Sequence, residues 1–329
     1  MNKHTAAGTL RGEGEFAPQK AAVFGATGST GRVITQSLLR RGIETRVVAR
    51  SRDHLDRDFD GMDVERAAGN VSDADDAARL AEGCDVVFHC VGLPLDEYER
   101  HAEFGSALAG MSERTGARVV LISGYWSFAP IEHCPIDESH PRRALTPMTK
   151  ARVEQEDRVR AAGGAVVVLP DFYGPGATKS FLNDVIRKSI AGEKAMWPGR
   201  IDAKRDFIFV PDIGPIVVDL ALREGAYGES WVVAGSGAAM PRELFGMIEA
   251  AAGAEVRPAP VTKLKLAFGA LVKPEARAFK PIFPIYNGAA WFDDSKLRGL
   301  LGDVKKTGYE EGLRRTVAWL KGEYPVGPA

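Results

Sequence analysis

The sequence lacks the features that mark membrane, nucleic-acid-binding and disulfide-bonded proteins. Its 329 residues contain no apolar run near the roughly 20 residues that a membrane span requires. With 43 basic and 44 acidic residues the net charge is −1, so neither nucleic acid nor a membrane is an expected partner. Three cysteines are too few to form a disulfide framework. We therefore expect a protein of the reducing cytoplasm.

The chain divides into a tail and two lobes. Residues 1–20 are polar and lack the apolar centre of a secretory signal, so residues 1–18 are predicted to form a flexible tail. The remainder has an ordinary globular composition, with 45% hydrophobic and 26% charged residues in the whole chain. A change of pattern near residue 170 predicts a core over 19–170. The second lobe, over 171–329, is expected to return some segments to that core.

Strand-like and helix-like segments alternate through the first half of the chain. Strands are predicted over residues 21–24, 45–49, 64–67, 85–90, 118–122 and 165–169. Helices are predicted over 31–41, 74–82, 97–115 and 149–162, and later over 181–191, 212–223, 242–252 and 309–321. Most strands are near-continuous apolar runs, which is typical of a parallel sheet covered on both faces. The pattern predicts an α/β fold, a Rossmann-type doubly wound parallel sheet with a smaller, irregular C-terminal substrate lobe.

A glycine-rich turn follows the first predicted strand and leads into the first helix. Gly25 permits the tight turn, Gly28 lets phosphates approach the backbone, and Gly31 lets the helix pack close to the strand. The helix N-terminus then offers free N–H groups and a partial positive charge to an anion. This order of elements predicts a site for a dinucleotide pyrophosphate.

The end of the second strand indicates which dinucleotide binds. An acidic residue there would accept hydrogen bonds from the adenosine ribose, whereas a basic residue pairs with a 2′-phosphate. Arg50 occupies this place, which favours NADP over NAD. Asn70 and Val71 are predicted to flank the adenine, and Val91 and Gly92 to lie close to the cofactor ribose. The cofactor-binding residues predicted from this half of the chain are Gly25, Thr27, Gly28, Ser29, Thr30, Gly31, Arg50, Ser51, Asn70, Val71, Val91 and Gly92.

Several segments together resemble an enzyme family. They are the turn over 25–31, the strand over 85–90, the segments over 171–176 and 205–212, and the terminal helix with Trp319. With them the chain resembles an extended, atypical short-chain dehydrogenase/reductase of the NAD(P)-dependent epimerase/dehydratase superfamily. The resemblance implies that Asp212 helps to hold the pocket together and that Asp171 faces the substrate. It also implies a homodimer through the helices over 97–115 and 149–162.

One departure from the family concerns its catalytic pair, a tyrosine four residues before a lysine. The lysine lowers the pKa of the tyrosine and holds the cofactor ribose, so the phenol can exchange a proton with the reacting oxygen. Here Lys150 is present, but position 146 is Thr146. The resemblance therefore implies Lys150 as a catalytic and cofactor-binding residue, and it leaves the proton donor open. The charged run over 154–158 is predicted to be a solvated helix face.

The loop after the fifth strand offers replacement hydroxyls. In the family this loop carries a serine or threonine that orients the substrate carbonyl, and Ser123 and Ser127 are both candidates here. Tyr125 lies in the same loop and could replace the missing tyrosine, or it could be a packing residue. The predicted catalytic residues are Lys150, Tyr125, Thr146, Ser127 and Ser123. The predicted substrate-binding residues are Pro94, Trp126, Asp171, Phe172 and Tyr173.

Two other segments have compositions that are typical of different roles. His133, Cys134, Asp137, Glu138 and His140 cluster in sequence, but they lie in a proline-bounded loop without a second ligand group, so no metal site is predicted. Residues 264–283 are apolar and contain proline. We interpret them as a substrate lid, with a membrane-touching or dimerising patch as the alternatives.

The leading functional hypothesis is an NADP-dependent oxidoreductase acting on a carbonyl or alcohol of a small, fairly apolar substrate. A nucleotide-sugar epimerase or dehydratase is the enzymatic alternative. Because Thr146 replaces the expected tyrosine, a non-catalytic NADP(H)-binding sensor is the alternative from another class.

Overall fold

Short runs rich in valine and alanine form most strands of the central sheet. The computed structural model describes residues 14–323. Its strands are β1 (Lys20–Phe24), β2 (Glu44–Ala49), β3 (Glu65–Ala68), β4 (Val86–His89), β5 (Arg118–Gly124), β6 (Ala165–Leu169), β7 (Asp171–Tyr173), β8 (Lys194–Pro198), β9 (Phe207–Phe209), β10 (Ser230–Val232) and β11 (Arg257–Val261).

Seven of these strands make one parallel sheet in the order β10-β6-β5-β4-β1-β2-β3. Val23 of β1 pairs with Val47 on one side and Phe88 on the other. Every residue of β4 and β6 is buried, because helices cover both faces of the sheet. The predicted Rossmann-type α/β fold is confirmed. The strand order reverses between β1 and β4, and ligands bind at such a reversal beyond the carboxyl ends of the strands.

The helices are α1 (Ser29–Arg40), α2 (Arg52–Asp58), α3 (Ala74–Ala81), α4 (His101–Thr115), α5 (Pro147–Ala161), α6 (Phe181–Ile190), α7 (Val210–Ala221), α8 (Pro241–Ala252), α9 (Lys263–Val272), α10 (Pro274–Phe279), α11 (Phe283–Tyr286), α12 (Ser295–Leu301) and α13 (Tyr309–Leu320). Short 3-10 helices cover Leu95–Arg100, Tyr125–Phe128 and Glu224–Ala226. The helix predicted over 97–115 is thus two elements, since its first turn and a half is a 3-10 helix. Across residues 14–323 there is no helix long and apolar enough to cross a membrane.

Close backbone contact fixes α1 beneath the site. A Cβ atom on Gly214 of α7 would lie 2.2 Å from the Val33 carbonyl oxygen of α1, so only glycine allows the two helices to approach this closely. Contact with α7 on one side and the sheet on the other fixes the N-terminus of α1 at the carboxyl end of β1.

The second lobe has its own aromatic core. Two parallel strand pairs, β7 with β9 and β8 with β11, lie outside the main sheet. Buried Trp197, Phe245 and Tyr309 pack between them and helices α6, α8 and α13. This lobe follows β6, so its first strand, β7, begins beside the carboxyl edge of the main sheet.

Candidate active site

Three neighbouring cavities that share lining residues lie at the carboxyl edge of the sheet. The first, which we call the cofactor cleft, has a volume of about 240 Å³ and follows the ends of β1, β2, β3 and β4. The second, the inner cavity, has a volume of about 340 Å³ and lies beyond β4, β5 and β6. Gly28, Val91 and Gly92 line both of them, so a molecule in the cofactor cleft can extend into the inner cavity.

The glycine-rich turn forms the base of the cofactor cleft. Gly25 has a φ of +78°, which is a left-handed conformation that glycine adopts without strain. A Cβ atom on Gly31 would lie 2.4 Å from the Gly25 carbonyl oxygen and overlap it. Gly31 therefore lets α1 begin directly over the turn. The backbone between Gly25 and Gly28 lines the cleft, where a pyrophosphate would meet the start of α1.

The adenosine end of the cleft contains the predicted specificity residues. Arg50, Asn70 and Val71 all line it. Arg50 is exposed, and within residues 14–323 its guanidinium makes no ion pair or hydrogen bond. Arg52, by contrast, is engaged by Asp56 at 2.9 Å. The cleft thus presents one unneutralised cation at the end of β2, where a 2′-phosphate would lie. These residues fit a dinucleotide.

Other predicted cofactor residues surround the same turn. Ser51 caps α2 by accepting a hydrogen bond from the His54 backbone N–H at 3.3 Å. Ser29 donates to the Gly176 carbonyl oxygen at 2.8 Å and so ties the turn to the second lobe. Thr27 lines the cofactor cleft, and Thr30 lines the inner cavity.

A buried arginine forms the floor of the inner cavity. Arg152 of α5 donates from Nε to Ser123 Oγ at 2.9 Å and from Nη2 to the Ile122 carbonyl oxygen at 2.9 Å. Its Nη1 donates to Gln155 Oε1 at 2.6 Å and to His101 Nδ1 at 3.0 Å. These bonds use four of the five N–H groups of a guanidinium. One N–H on Nη2 has no partner within residues 14–323.

The structure separates Lys150 from this site. Residues two apart on a helix lie about 200° apart around its axis, so Lys150 points away when Arg152 points in. Lys150 is exposed and lines none of the three cavities. The residue four positions before Arg152 is Met148, so no phenol stands one turn before the buried cation.

Arg152 also sets the protonation of a neighbouring histidine. Because arginine only donates, His101 Nδ1 must be the unprotonated nitrogen, and the ring proton lies on Nε2. Burial, and then the positive charge of Arg152, hold the pKa of His101 far below its usual range. His101 is therefore neutral, and it lines the inner cavity as part of a fixed network.

Ser123 belongs to the same buried network. It donates its hydroxyl proton to Glu156 Oε1 and accepts from Arg152. Glu156 is buried and pairs with Arg142 at 2.8 Å, so the expectation that residues 154–158 form a solvated face is corrected for Glu156 and for buried Gln155. The single proton of Ser123 already has an acceptor, which leaves none for a substrate.

Thr146 is a helix cap in the structure. Its Oγ1 accepts from the Thr149 backbone N–H at 3.2 Å, and its own N–H donates to Thr149 Oγ1 at 3.0 Å. This reciprocal pair, together with Pro147 at the first helical position, begins α5. Thr146 thus has a structural explanation, and it lines the outer of the three cavities rather than the inner one.

Tyr125 lines the inner cavity, but its hydroxyl is occupied. The hydroxyl donates to Asp171 Oδ2 at 3.0 Å and accepts from Arg205 Nη2. Asp171 also accepts from Tyr286 at 3.2 Å and pairs with Arg205 at 3.0 Å. Burial is the main cause that raises the pKa of Tyr125 above its usual range. The Tyr125 phenol therefore connects the two lobes by its hydrogen bonds to the ion pair of Asp171 and Arg205.

A different phenol is free at the junction of two cavities. Tyr98, in the 3-10 helix before α4, lines the inner cavity and also the outer one. Its ring lies 4.5 Å from the His101 ring and 5.3 Å from the Trp126 ring. Its hydroxyl has no hydrogen-bond partner in the described part of the chain. Burial raises the pKa of Tyr98, and the charge of Arg152 opposes this rise.

The third space, the outer cavity, is larger and mostly apolar. Its volume is about 400 Å³, and Tyr98 and Trp126 separate it from the inner cavity. Of the described residues that line it, none is lysine or arginine. The apolar side chains that line it include Ile131, Leu145, Met148, Ile282 and Ile285.

The remaining predicted residues separate into two groups. Trp126, Asp171 and Phe172 line the inner cavity, whereas Pro94 lines the cofactor cleft. Ser127 and Tyr173, in contrast, are fully buried and line none of the three cavities. Tyr173 packs in the aromatic core of the second lobe, 5.4 Å from the Phe209 ring, which corrects its assignment as a substrate contact.

Sequence reasoning missed Arg152, His101 and Tyr98. Arg152 could have been found from the helical period, because Met148, Arg152 and Glu156 fall on one face, four residues apart. His101 and Tyr98 carry no such signal, since their position depends on the 3-10 helix that precedes α4.

Comparisons with known proteins agree with this geometry. The model of the NAD dependent epimerase/dehydratase family matches residues 21–234. Ceramide reductase from Caulobacter vibrioides is 30% identical over 166 residues, which cover 48% of this chain and 48% of that protein. A 4-hydroxy-2-methyl-3-oxo-4-farnesyl-3,4-dihydroquinoline-1-oxide ketoreductase from Stigmatella aurantiaca is 26% identical over 322 residues, which cover 88% and 93%.

The fold has a counterpart among solved structures. dTDP-glucose 4,6-dehydratase from Bacillus anthracis, in complex with NAD, superimposes with a TM-score of 0.77 at 14% identity, over 92% of this chain and 97% of that one. The family match covers the glycine-rich turn, the strands β1 to β6 and the buried Arg152 network. The chain therefore belongs to the NAD dependent epimerase/dehydratase family and is an NAD(P)-dependent oxidoreductase or epimerase.

Proposed function

We propose that the protein is an NADP-dependent reductase that interconverts a carbonyl and an alcohol on a small, fairly apolar substrate. The observation that carries the proposal is that the three cavities are neighbours and share lining residues. The cofactor cleft meets the inner cavity at Gly28, Val91 and Gly92, and the inner cavity meets the outer one at Tyr98 and Trp126. A substrate in the outer cavity can thus place its polar end beside a cofactor.

The preference for NADP rests on Arg50. Its guanidinium lines the cleft at the end of β2 without a carboxylate partner in the described chain. A 2′-phosphate would supply that missing anion through charge-assisted hydrogen bonds. Among the described residues that line the β2 end of the cleft none is acidic, whereas an NAD-specific site would need an acidic residue there.

Arg152, rather than Lys150, is proposed to act toward the cofactor. When bound, the reduced nicotinamide ring supplies the hydride for carbonyl reduction. The one free N–H of Arg152 Nη2 is available to a ligand in the inner cavity, and its other bonds fix its orientation. Its charge also favours an anionic oxygen that develops nearby.

Tyr98 is proposed to donate the proton to the carbonyl oxygen. The phenol is protonated at neutral pH, as a proton donor requires, although burial raises its pKa and so makes it a weaker acid than an exposed tyrosine. Arg152 lowers the cost of the phenolate that remains after transfer. Tyr125 is less suited, because its proton is already held by Asp171. The Ser123 proton is likewise held by Glu156, and the Thr146 hydroxyl caps α5 and lines only the outer cavity.

The apolar substrate is inferred from the outer cavity. Its lining is mostly aliphatic and aromatic, and it lacks the lysine and arginine side chains that a sugar diphosphate would need within the described residues. Two of the similar proteins, the ceramide reductase and the farnesyl-dihydroquinoline-oxide ketoreductase, are named as reductases of compounds that carry apolar groups.

A series of methyl ketones with increasing alkyl chain length tests the proposal. Oxidation of NADPH is followed with each ketone, and KM is expected to fall about fourfold for each methylene that enters the outer cavity. The variant Ile131→Asp should raise KM for long ketones and leave KM for short ketones unchanged, because Ile131 lines only the outer cavity. NADPH binding without turnover of any ketone would contradict the proposal and favour a sensor.

A further inference from the structure

One helix of the second lobe exposes an apolar face. In α9 the exposed fractions are 68% for Leu264, 65% for Phe268, 73% for Leu271 and 78% for Val272. Their spacing of four, three and one residues places them on one side of the helix. Leu266 is buried and attaches the helix to the molecule. These four make up half of the large exposed apolar side chains among residues 14–323.

Basic residues surround this apolar face. Lys263 and Lys265 lie in the first turn of α9, and Lys273 follows its last residue, all of them exposed. Residues 262–280 contain five basic side chains and one acidic side chain, in a chain whose net charge is −1. Positive charge in the first turn opposes the helix dipole, so it does not stabilise the helix itself. The charges are complementary to an anionic surface.

The helix is connected through α10 to the wall of the outer cavity. It packs against α10, because a Cβ atom placed on Gly269 of α9 would lie only 3.4 Å from the Cβ atom of Ala276 in α10. The chain then continues from α10 into Pro281 and Ile282, which line the outer cavity. A surface that contacts α9 thus lies one short helix along the chain from residues that line the outer cavity.

We propose that α9 docks the protein on the surface of an anionic lipid bilayer. The helix lies in the plane of the interface, with Phe268 and Leu271 among the acyl chains and the lysines at the phosphate level. This is the arrangement of an amphipathic interfacial helix, whose apolar contacts and basic charges act together. The docking is peripheral, and it departs from the expectation of no membrane contact drawn from the overall composition.

Flotation with lipid vesicles tests the docking without any turnover measurement. The full chain is mixed with vesicles of phosphatidylcholine alone, or of equal parts phosphatidylcholine and phosphatidylglycerol. We expect binding to the mixed vesicles, weakened by added salt, and at least about tenfold weaker binding to neutral ones. Equal binding to both compositions, or binding to neither, overturns the proposal.

Paired variants assign the binding to α9. Phe268→Asp with Leu271→Asp, and separately Lys263→Glu with Lys265→Glu, should each lower the affinity for mixed vesicles at least about tenfold. Met196→Asp is the control, because Met196 is 66% exposed in β8 and lies outside α9. Unchanged NADPH binding verifies that each variant is folded. Equal loss in Met196→Asp overturns the assignment.

A second copy of the chain is the competing occupant of this face. Light scattering in the absence of lipid distinguishes the two cases. A dimer that dissociates in the Phe268→Asp, Leu271→Asp variant, without vesicle binding by the parent protein, would show a self-interface and refute the membrane proposal. Vesicle binding is measured independently of ketone reduction. A protein that does not bind vesicles would therefore refute the docking proposal without refuting the proposed reductase activity.

Discussion

Replacing Tyr98 by phenylalanine separates chemistry from folding at this site. The ring contacts of Tyr98 with His101 and Trp126 persist in Tyr98→Phe, and its hydroxyl has no partner to lose within residues 14–323. The free energy of unfolding should therefore change by no more than about 0.5 kcal/mol. Loss of a general acid should lower kcat by about 10²–10⁴, or about 3–5 kcal/mol in activation free energy.

Tyr125→Phe is the matched control for this prediction. It removes a donor to Asp171 and an acceptor from Arg205, both in a buried ion pair. The free energy of unfolding should fall by about 2–4 kcal/mol, with a smaller effect on kcat than in Tyr98→Phe. Urea unfolding gives the first quantity, and NADPH oxidation with the best ketone gives the second. If Tyr98→Phe retains the parent kcat while Tyr125→Phe loses it, the proton donor has been misassigned.

Three further substitutions test the α5 side of the site. Arg152→Met should lower the free energy of unfolding in urea by about 3 kcal/mol, because Ser123 and His101 lose a buried hydrogen-bond partner. The same variant should bind NADPH more weakly in a fluorescence titration. Thr146→Ala should cost about 1 kcal/mol of stability through loss of the helix cap and leave kcat unchanged. Lys150→Ala should leave NADPH affinity and stability unchanged, and a large loss of either would return the cofactor role to Lys150.

The sheet could be predicted from the sequence because its strands are apolar runs. β6 was predicted with the bounds that the structure has, and β1 and β2 to within one residue at their first position. The edge strand β10 was missed, since three residues give no periodic signal. Helix α2 was missed because it buries only Leu55 and is otherwise polar, so it lacks an amphipathic pattern.

The cofactor half of the site was more predictable than the catalytic half. Gly25 and Gly31 act through local backbone geometry, which neighbouring residues reveal. The ion pair of Asp171 and Arg205, by contrast, forms between two segments that are distant in sequence and come together only in the folded second lobe. Arg152 could not be predicted as a site residue, because charged residues on a helix usually face solvent. It is buried here because its hydrogen-bond partners are buried with it.

Every cofactor-dependent role proposed above requires that the cleft bind NADPH through Arg50. Titration with NADPH and NADH, followed by quenching of tryptophan fluorescence, measures this binding. The protein should bind NADPH about 10–100-fold more tightly than NADH. Arg50→Asp should reverse this order of affinities. The control Arg52→Asp should keep the order, because Arg52 is already paired with Asp56. Equal affinities for the two cofactors in the parent protein, or binding of neither, would refute NADPH binding through Arg50.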